Sequence, residues 1–420
     1  MSLHSIRAFL LALVSAVLVA ACGGSSSSTT PPPPEGGISV VPGDSQVTVS
    51  WKETPGVEYW IFAAPNNPNL TLSTWLATTG STYRLKVTSP FVVTGLTNGT
   101  PYSFFMTGRI NSGPGGAATP TVTATPRLAG TTWTAGTNLN TGTKTGMTYG
   151  SYVETATNTT KLAYLAVGNG GRLYTATSID TWTALTPVVT SDLNAAEFGF
   201  AKFVAAGAAG KVIYSSDTKT WTQAASITTQ NLNAMAINGS LAVAVGDNGT
   251  IITSKDAITW TLATSVPTTA HLLGVAYTAS GTWVAVGAAG TILTSTDGAT
   301  WTAQTSASTA DLKAVGALAS VLNGTTTYQF IVVGTNGTVL SSADAMTWTA
   351  QNANTTASLN ALSATHQFLA VGANGTIITS ADGINWTRQV SNTSAELKTL
   401  LRAENQYIAV NTAGGIVSSK

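Results

Sequence analysis

The sequence has one cysteine, Cys22, in 420 residues. A single thiol excludes an internal disulfide and a zinc site built on cysteines. Histidine is almost as scarce, with only His4, His271 and His366. A histidine-rich metal centre is excluded on the same ground, and no metal or cofactor is expected. Charged residues make up 8% of the chain, where about a quarter is usual. That shortage argues against long surface helices, whose solvent faces carry Glu and Lys. Lys and Arg total 18 against 17 Asp and Glu, and no basic patch stands out. Nucleic acid is therefore not expected as a partner. What fills the space is 43% hydrophobic residues and 41 glycines, with many Ala, Ser, Thr and Asn. This composition suits strands and tight turns, and the length suits two or three domains.

Residues 1–21 read as a secretory signal, with His4 and Arg7 ahead of an apolar run from Ala8 to Ala20. The run is too short to span a membrane. Val19-Ala20-Ala21-Cys22 resembles the lipobox of bacterial lipoproteins. The resemblance implies acylation of Cys22, which becomes the mature N-terminus and holds the chain to a membrane. Gly23 rather than Asp follows Cys22, and the same resemblance then implies an outer-membrane lipoprotein of the cell envelope, periplasmic or surface-exposed. Residues 22–37, rich in Ser, Thr and Pro, form a tether that cannot pack a core.

Residues 38–126 show short alternating strands, such as Gln46 to Trp51, Tyr59 to Phe62 and Thr100 to Met106. This stretch resembles a fibronectin type III domain. Trp51 stands where that family buries its core Trp, and Leu96 to Tyr102 resembles the segment that carries its tyrosine corner. Gly108 to Gly113 is expected as the loop between the last two strands, and it lacks Arg-Gly-Asp. A spacer role is the expectation for this domain.

From residue 130 the chain repeats itself. Six copies end in a Trp followed by Thr, at Trp182, Trp221, Trp260, Trp301, Trp348 and Trp386, spaced 39, 39, 41, 47 and 38 residues apart. A glycine precedes each Trp, at Gly168, Gly207, Gly246, Gly287, Gly334 and Gly372. Each copy reads as four short strands, the unit of a propeller blade. Ser295-Thr296-Asp297-Gly298-Ala299-Thr300-Trp301 resembles the Asp-box of bacterial neuraminidase repeats, and Asp217, Asp256, Asp344 and Asp382 occupy the same place in other copies. In that family the box is structural, so these aspartates are expected to hold turns rather than to catalyse. A seventh copy, from Glu396, stops at Lys420 without its fourth strand, while a spare Trp-Thr strand lies at 130–136. The expectation is an all-β chain: a fibronectin type III-like β-sandwich, then a seven-bladed β-propeller over 130–420. Residues 130–136 complete blade seven and remove a free sheet edge.

Resemblance to neuraminidases raises the question of catalysis. Only Arg172, Arg388 and Arg402 follow residue 130, and neither Arg172 nor Arg388 is expected to face the axis, so the three-arginine carboxylate site of sialidases is not matched. A glycosidase of the Asp-box propeller type, with carboxylates drawn from Asp192, Asp311 and Glu396, is the alternative to a binding role. Alignment of the first strands favours binding. Asp192, Asn231, His271, Asp311, Ser358 and Glu396 share one variable position. Asn194, Asn233, Leu273, Lys313, Asn360 and Lys398 follow two residues later. Both sets are expected at one mouth of the central channel. Varied polar residues on a repeated frame make a specific site. The repeats also resemble photosystem II assembly propellers, which bind a folding partner through a basic patch that this chain lacks. The reading is a monomeric, non-enzymatic, lipid-anchored scaffold that engages a protein or polysaccharide.

Overall fold

The computed structural model describes residues 30–111, 113–139, 144–154, 157–306, 308–322 and 324–420. Cys22 and the secretory and lipidation expectations, together with most of the tether, lie outside the described residues. The chain divides into two compact units, 1–129 and 130–419.

The first unit, among its described residues, has seven strands: β1 (Ile38–Gly43), β2 (Gln46–Trp51), β3 (Glu58–Pro65), β4 (Thr82–Val87), β5 (Phe91–Thr94), β6 (Tyr102–Arg109) and β7 (Val122–Ala124). They form two sheets, β1-β2-β5 and β4-β3-β6-β7. One core joins the inward residues of both, among them Val47 and Val49 from β2, Ile61 from β3 and Phe104 and Met106 from β6. Trp51 packs edge-on against Tyr59 in this core, with ring centres 5.6 Å apart. The Tyr102 ring is buried, and its hydroxyl accepts the Thr97 N–H at 3.3 Å. Gly108 and Arg109 belong to β6, not to a loop. The Arg109 guanidinium carbon lies over Trp60, 3.7 Å from the ring centre, so the strand runs on where the sequence pattern implied a turn. A short helix, α1 (Leu72–Ala77), was not expected. Thr71 and Thr74 cap it reciprocally, and Trp75 anchors it by donating to the Ala63 and Thr82 carbonyls.

The second unit, among its described residues, contains seven four-stranded antiparallel sheets. Their first strands are Lys144–Glu154, Leu193–Gly199, Leu232–Ile237, Leu272–Tyr277, Leu312–Leu322, Leu359–Ala364 and Leu397–Ala403. Each packs beside the next, and the last packs beside the first, which closes a ring. The fourth strand of the last sheet comes from upstream. Thr134–Asn138 pairs with Gly415–Ser419 through Thr134 opposite Ser418 and Ala135 opposite Val417. The paired segment sits a few residues later than 130–136. Trp133 precedes it and is buried, with its indole N–H on the Gly130 carbonyl at 2.9 Å.

The alternation within second strands explains the packing. Ala242, Val243, Ala244 and Val245 are all fully buried. Val243 and Val245 face the next sheet, against Leu272 and Trp283, whereas Ala242 and Ala244 face the preceding one, against Val204 and Ala206. A strand sandwiched between two sheets has no solvent face, hence the unbroken apolar run. Each repeat Trp closes such an interface; Trp301 packs on Val243, Val245 and Ile251 of the preceding sheet. Its indole N–H donates to the Gly298 carbonyl three residues back at 2.9 Å. The same bond recurs at Trp182, Trp221, Trp260, Trp348 and Trp386.

Candidate functional site at the ring mouth

First strands begin, and second strands end, at the same end of the ring. There six of the second strands turn through a Gly-x-x-Gly segment into the third, and the last turns through Asn411-Thr412-Ala413-Gly414. Backbones approach closely in these turns. Gly249 has φ +67°, and a Cβ on it would lie 2.0 Å from the Thr268 carbonyl oxygen of the following loop. No other residue type fits there without displacing main chain.

The outer set of mouth residues bolts the sheets together. Asp192 Oδ1 accepts the Gly170 N–H of the preceding sheet's turn at 2.7 Å. Asn231 accepts from Ala209 N–H at 3.1 Å, and Asp311 from Ala289 N–H at 3.0 Å. These three side chains are exposed yet each already caps a turn. Glu396 pairs with Lys398 at 2.8 Å and takes the Asn360 amide at 3.1 Å. The Lys398 contact holds its carboxyl below the usual range, and burial opposes this less strongly. His271 Nδ1 lies 3.0 Å from Asp247.

The sequence pattern left Asp247 unmarked, as a turn residue. The structure gathers Asn231, Asn233 and His271 around it. Burial pushes its carboxyl up, but the Asn233 and Asn231 amides and His271 outweigh that and hold it low. Comparison of the residue after each marker glycine carries the signal: Asn169, Ala208, Asp247, Ala288, Thr335, Ala373 and, in the last copy, Thr412. Asp247 alone is charged.

The inner set does converge. Asn194, Asn233, Leu273, Lys313, Asn360 and Lys398, each one residue after the leading Leu of its strand, line a depression of about 330 Å³. The amide orientations are fixed by chemistry, because only Nδ2 can donate. Asn194 Nδ2 donates to the Leu232 carbonyl, Asn233 Nδ2 to Leu272 and Asn360 Nδ2 to Leu397, all at 2.9 Å. Each asparagine thus ties its strand to the next sheet. The oxygens of Asn194 and Asn233 are the atoms left to meet a ligand. Lys313 donates to Asn360 Oδ1 at 2.8 Å. Burial, then repulsion from Lys398, lowers the Lys313 ammonium below its usual range.

The same six residues, with those that follow them along the first strands, also line a bore of about 220 Å³. Met147, Met235, Val275, Val315, Leu362 and Leu400 contribute an apolar girdle, and Glu197 also lines the bore. Glu197 is partly buried. Burial pushes its carboxyl up to about 8, although the Phe198 N–H works in the other direction. The sequence pattern missed Glu197 too. Strand register aligns it with Thr148, Ala236, Ala276, Gly316, Ser363 and Leu401, so it is an ionisable group among neutral ones.

The repeated aspartates lie at the other end, in turns between third and fourth strands. Asp297 Oδ1 accepts the Ala299 and Thr300 N–H groups at 2.8 Å each, and Ser295 donates to it at 2.9 Å. Asp217, Asp256, Asp344 and Asp382 make the same bonds. In Asp256, Asp297, Asp344 and Asp382 the backbone donors lower the carboxyl pKa; in Asp217 burial opposes them and loses. Among the described residues no group of three His, Cys, Asp or Glu could hold a metal ion.

A family described as the DUF6242 beta propeller domain matches residues 304–420. No curated protein matches the chain. Among solved structures, YCF48 bound to D1 peptide is similar at 17% identity and TM-score 0.54, over 70% of this chain and 99% of that one. YCF48 from Cyanidioschyzon merolae gives 14% and 0.52, over 68% and 98%. Virginiamycin B lyase from Staphylococcus aureus gives 11% and 0.56, over 69% and 99%. At such identities the likeness speaks for the fold alone. The chain is all-β and contains a β-propeller domain.

Proposed function

We propose that this chain is a lipid-anchored binding scaffold of the cell envelope. In this reading residues 1–21 direct export, Cys22 carries the lipid, 22–37 tether, and 38–126 form a fibronectin type III sandwich that acts as a spacer. Residues 130–420 form a seven-bladed propeller whose mouth engages a protein or glycan. Seven four-stranded sheets in a closed ring support the blade count. The order β1-β2-β5 and β4-β3-β6-β7, with a buried Tyr102 bonded to its own corner, supports the sandwich. The repeated Asp–backbone bonds support an Asp-box reading of the turns.

The observation that carries the binding role is the inner mouth ring. The frame repeats, but its six residues differ in charge and polarity around one depression. YCF48, a propeller of this fold, has been captured with a peptide, and a peptide is a ligand of suitable chemistry for amides and lysines. A non-enzymatic role is favoured because Asp192, Asp311 and Glu396 are each engaged in mouth structure. The test uses the full chain on peptide and glycan arrays, against the Lys313→Gln/Lys398→Gln variant. Binders that the variant loses at least tenfold are expected. An array with no binders overturns the reading, as does release of glycan products by the wild type and not by Asp192, Asp311 and Glu396 alanine variants.

A further inference from the structure

The inner mouth ring is polarised. On one side Asn194 and Asn233 present carbonyl oxygens, because their Nδ2 atoms are committed to main chain. On the other side stand two ammonium groups, Lys313 and Lys398. Lys398 is partly neutralised by Glu396, whereas Lys313 donates to the neutral Asn360 oxygen. A carboxylate seated here would sit between two cations that otherwise repel each other.

The bore adds a third requirement. Glu197 lies three residues after Asn194 on one strand, and at about 3.3 Å per residue, with a bulge at Asn194, this is at most roughly 10 Å deeper. Between them runs the apolar girdle. A group that reaches Glu197 from the mouth therefore needs an unbranched apolar stem and a positive tip. Lysine has that construction. Its stem suits Met235, Val275 and Leu362, which line this narrow space.

We propose that the mouth and bore form a site for the C-terminal lysine of a polypeptide. Its α-carboxylate meets Lys313 and Lys398, its backbone N–H donates to the Asn194 or Asn233 oxygen, and its ammonium pairs with Glu197. Among the described residues, Glu197, Lys313 and Lys398 are the charged ones that line the bore. This assignment rests on the binding reading above and sharpens it to one ligand class.

The elevated carboxyl of Glu197 fits this arrangement. An uncompensated acid in a narrow space resists ionisation, and an incoming ammonium stabilises the ionised form. Binding then releases a proton, and affinity rises as pH increases from 6 to 9, while the lysine tip stays charged.

The experiment is calorimetric titration of the full chain with three peptides: Gly-Gly-Lys, its C-terminal amide, and Gly-Gly-norleucine, which keeps the stem and lacks the ammonium. Gly-Gly-Lys is expected to bind at least tenfold more tightly than either control. Glu197→Gln is expected to abolish the lysine-over-norleucine preference and to keep the acid-over-amide preference. Lys313→Gln is expected to do the reverse. Unchanged circular dichroism and a cooperative melting transition establish that each variant is folded. Absence of Gly-Gly-Lys binding overturns the assignment, and so does a lysine preference that survives Glu197→Gln. If arrays yield mouth-dependent binders that do not end in lysine, this assignment falls while the binding reading stands.

Discussion

Replacing Glu197 by Gln tests whether the propeller bore is a low-dielectric space. Gln keeps the shape and hydrogen-bonding reach and removes the ionisation. In the folded protein the carboxyl is pushed from the ordinary 4.5 up to about 8. A folded-state pKa above the unfolded one means that the fold holds a proton that the unfolded chain gives up. The stability contributed by that proton is complete below about pH 4.5 and is lost as pH rises through 8. At about 1.36 kcal/mol per pH unit the ceiling is roughly 5 kcal/mol at pH 9, for a dry bore. Water entering from the mouth lowers that ceiling. The assay is denaturant or thermal unfolding of wild type and Glu197→Gln at pH 5 and pH 9. The difference between them isolates the propeller, because the first unit is identical in both. At pH 5 the two are expected to match within about 0.5 kcal/mol. At pH 9 the Gln variant is expected to be more stable by at least about 1.4 kcal/mol. A pH-independent difference would refute the reasoning, since it would mean that the carboxyl is solvated in the fold as it is in the unfolded chain.

Asp297→Ala removes the acceptor of the Ala299 and Thr300 N–H groups and is expected to cost about 1–2 kcal/mol, by analogy with a lost cap. Because folding lowers the pKa of Asp297, its contribution is present above about pH 4 and vanishes as pH falls, so acid melting curves of variant and wild type are expected to converge. Gly249→Ala places a Cβ 2.0 Å from the Thr268 oxygen at a φ of +67°; strain and overpacking together imply roughly 2–5 kcal/mol, measured as a fall in denaturation midpoint. Trp301→Ala empties an interface between two sheets where the ring is 3% exposed, with an expected loss of about 3–5 kcal/mol in chemical unfolding. Deleting residues 134–138 strips Gly415–Ser419 of its partner strand, and size-exclusion chromatography is expected to show self-association through the exposed edge.

The repeat frame could be read from the sequence because it is local. A Trp at near-constant spacing, a marker glycine and a Ser-x-Asp turn each follow from contacts within a few residues, as the Trp301 bond to Gly298 shows. The inner mouth residues were legible for the same reason. Aligning the leading Leu of each first strand puts Asn194, Asn233, Lys313, Asn360 and Lys398 at one level, and a ring carries equal levels to one depression. The Gly108-Arg109 loop was misjudged because Arg109 is held in β6 by Trp60, a contact across 49 residues. The capped turn α1 escaped notice because its anchor, Trp75, bonds strands on either side of it.

By itself the sequence determined the strand periodicity, the turn chemistry and which residues recur at which level, since these depend on near neighbours along the chain. It did not determine what those residues face. Asp192, Asn231 and Asp311 occupy a variable polar position, yet each caps a turn of the preceding sheet, and only the ring brings that turn within reach. Asp247 becomes a hub, and Glu197 an acid in a bore, for the same reason. Charge and solvation depend on distances between sheets that are some 40 residues apart in sequence, and those distances exist only once the ring has closed.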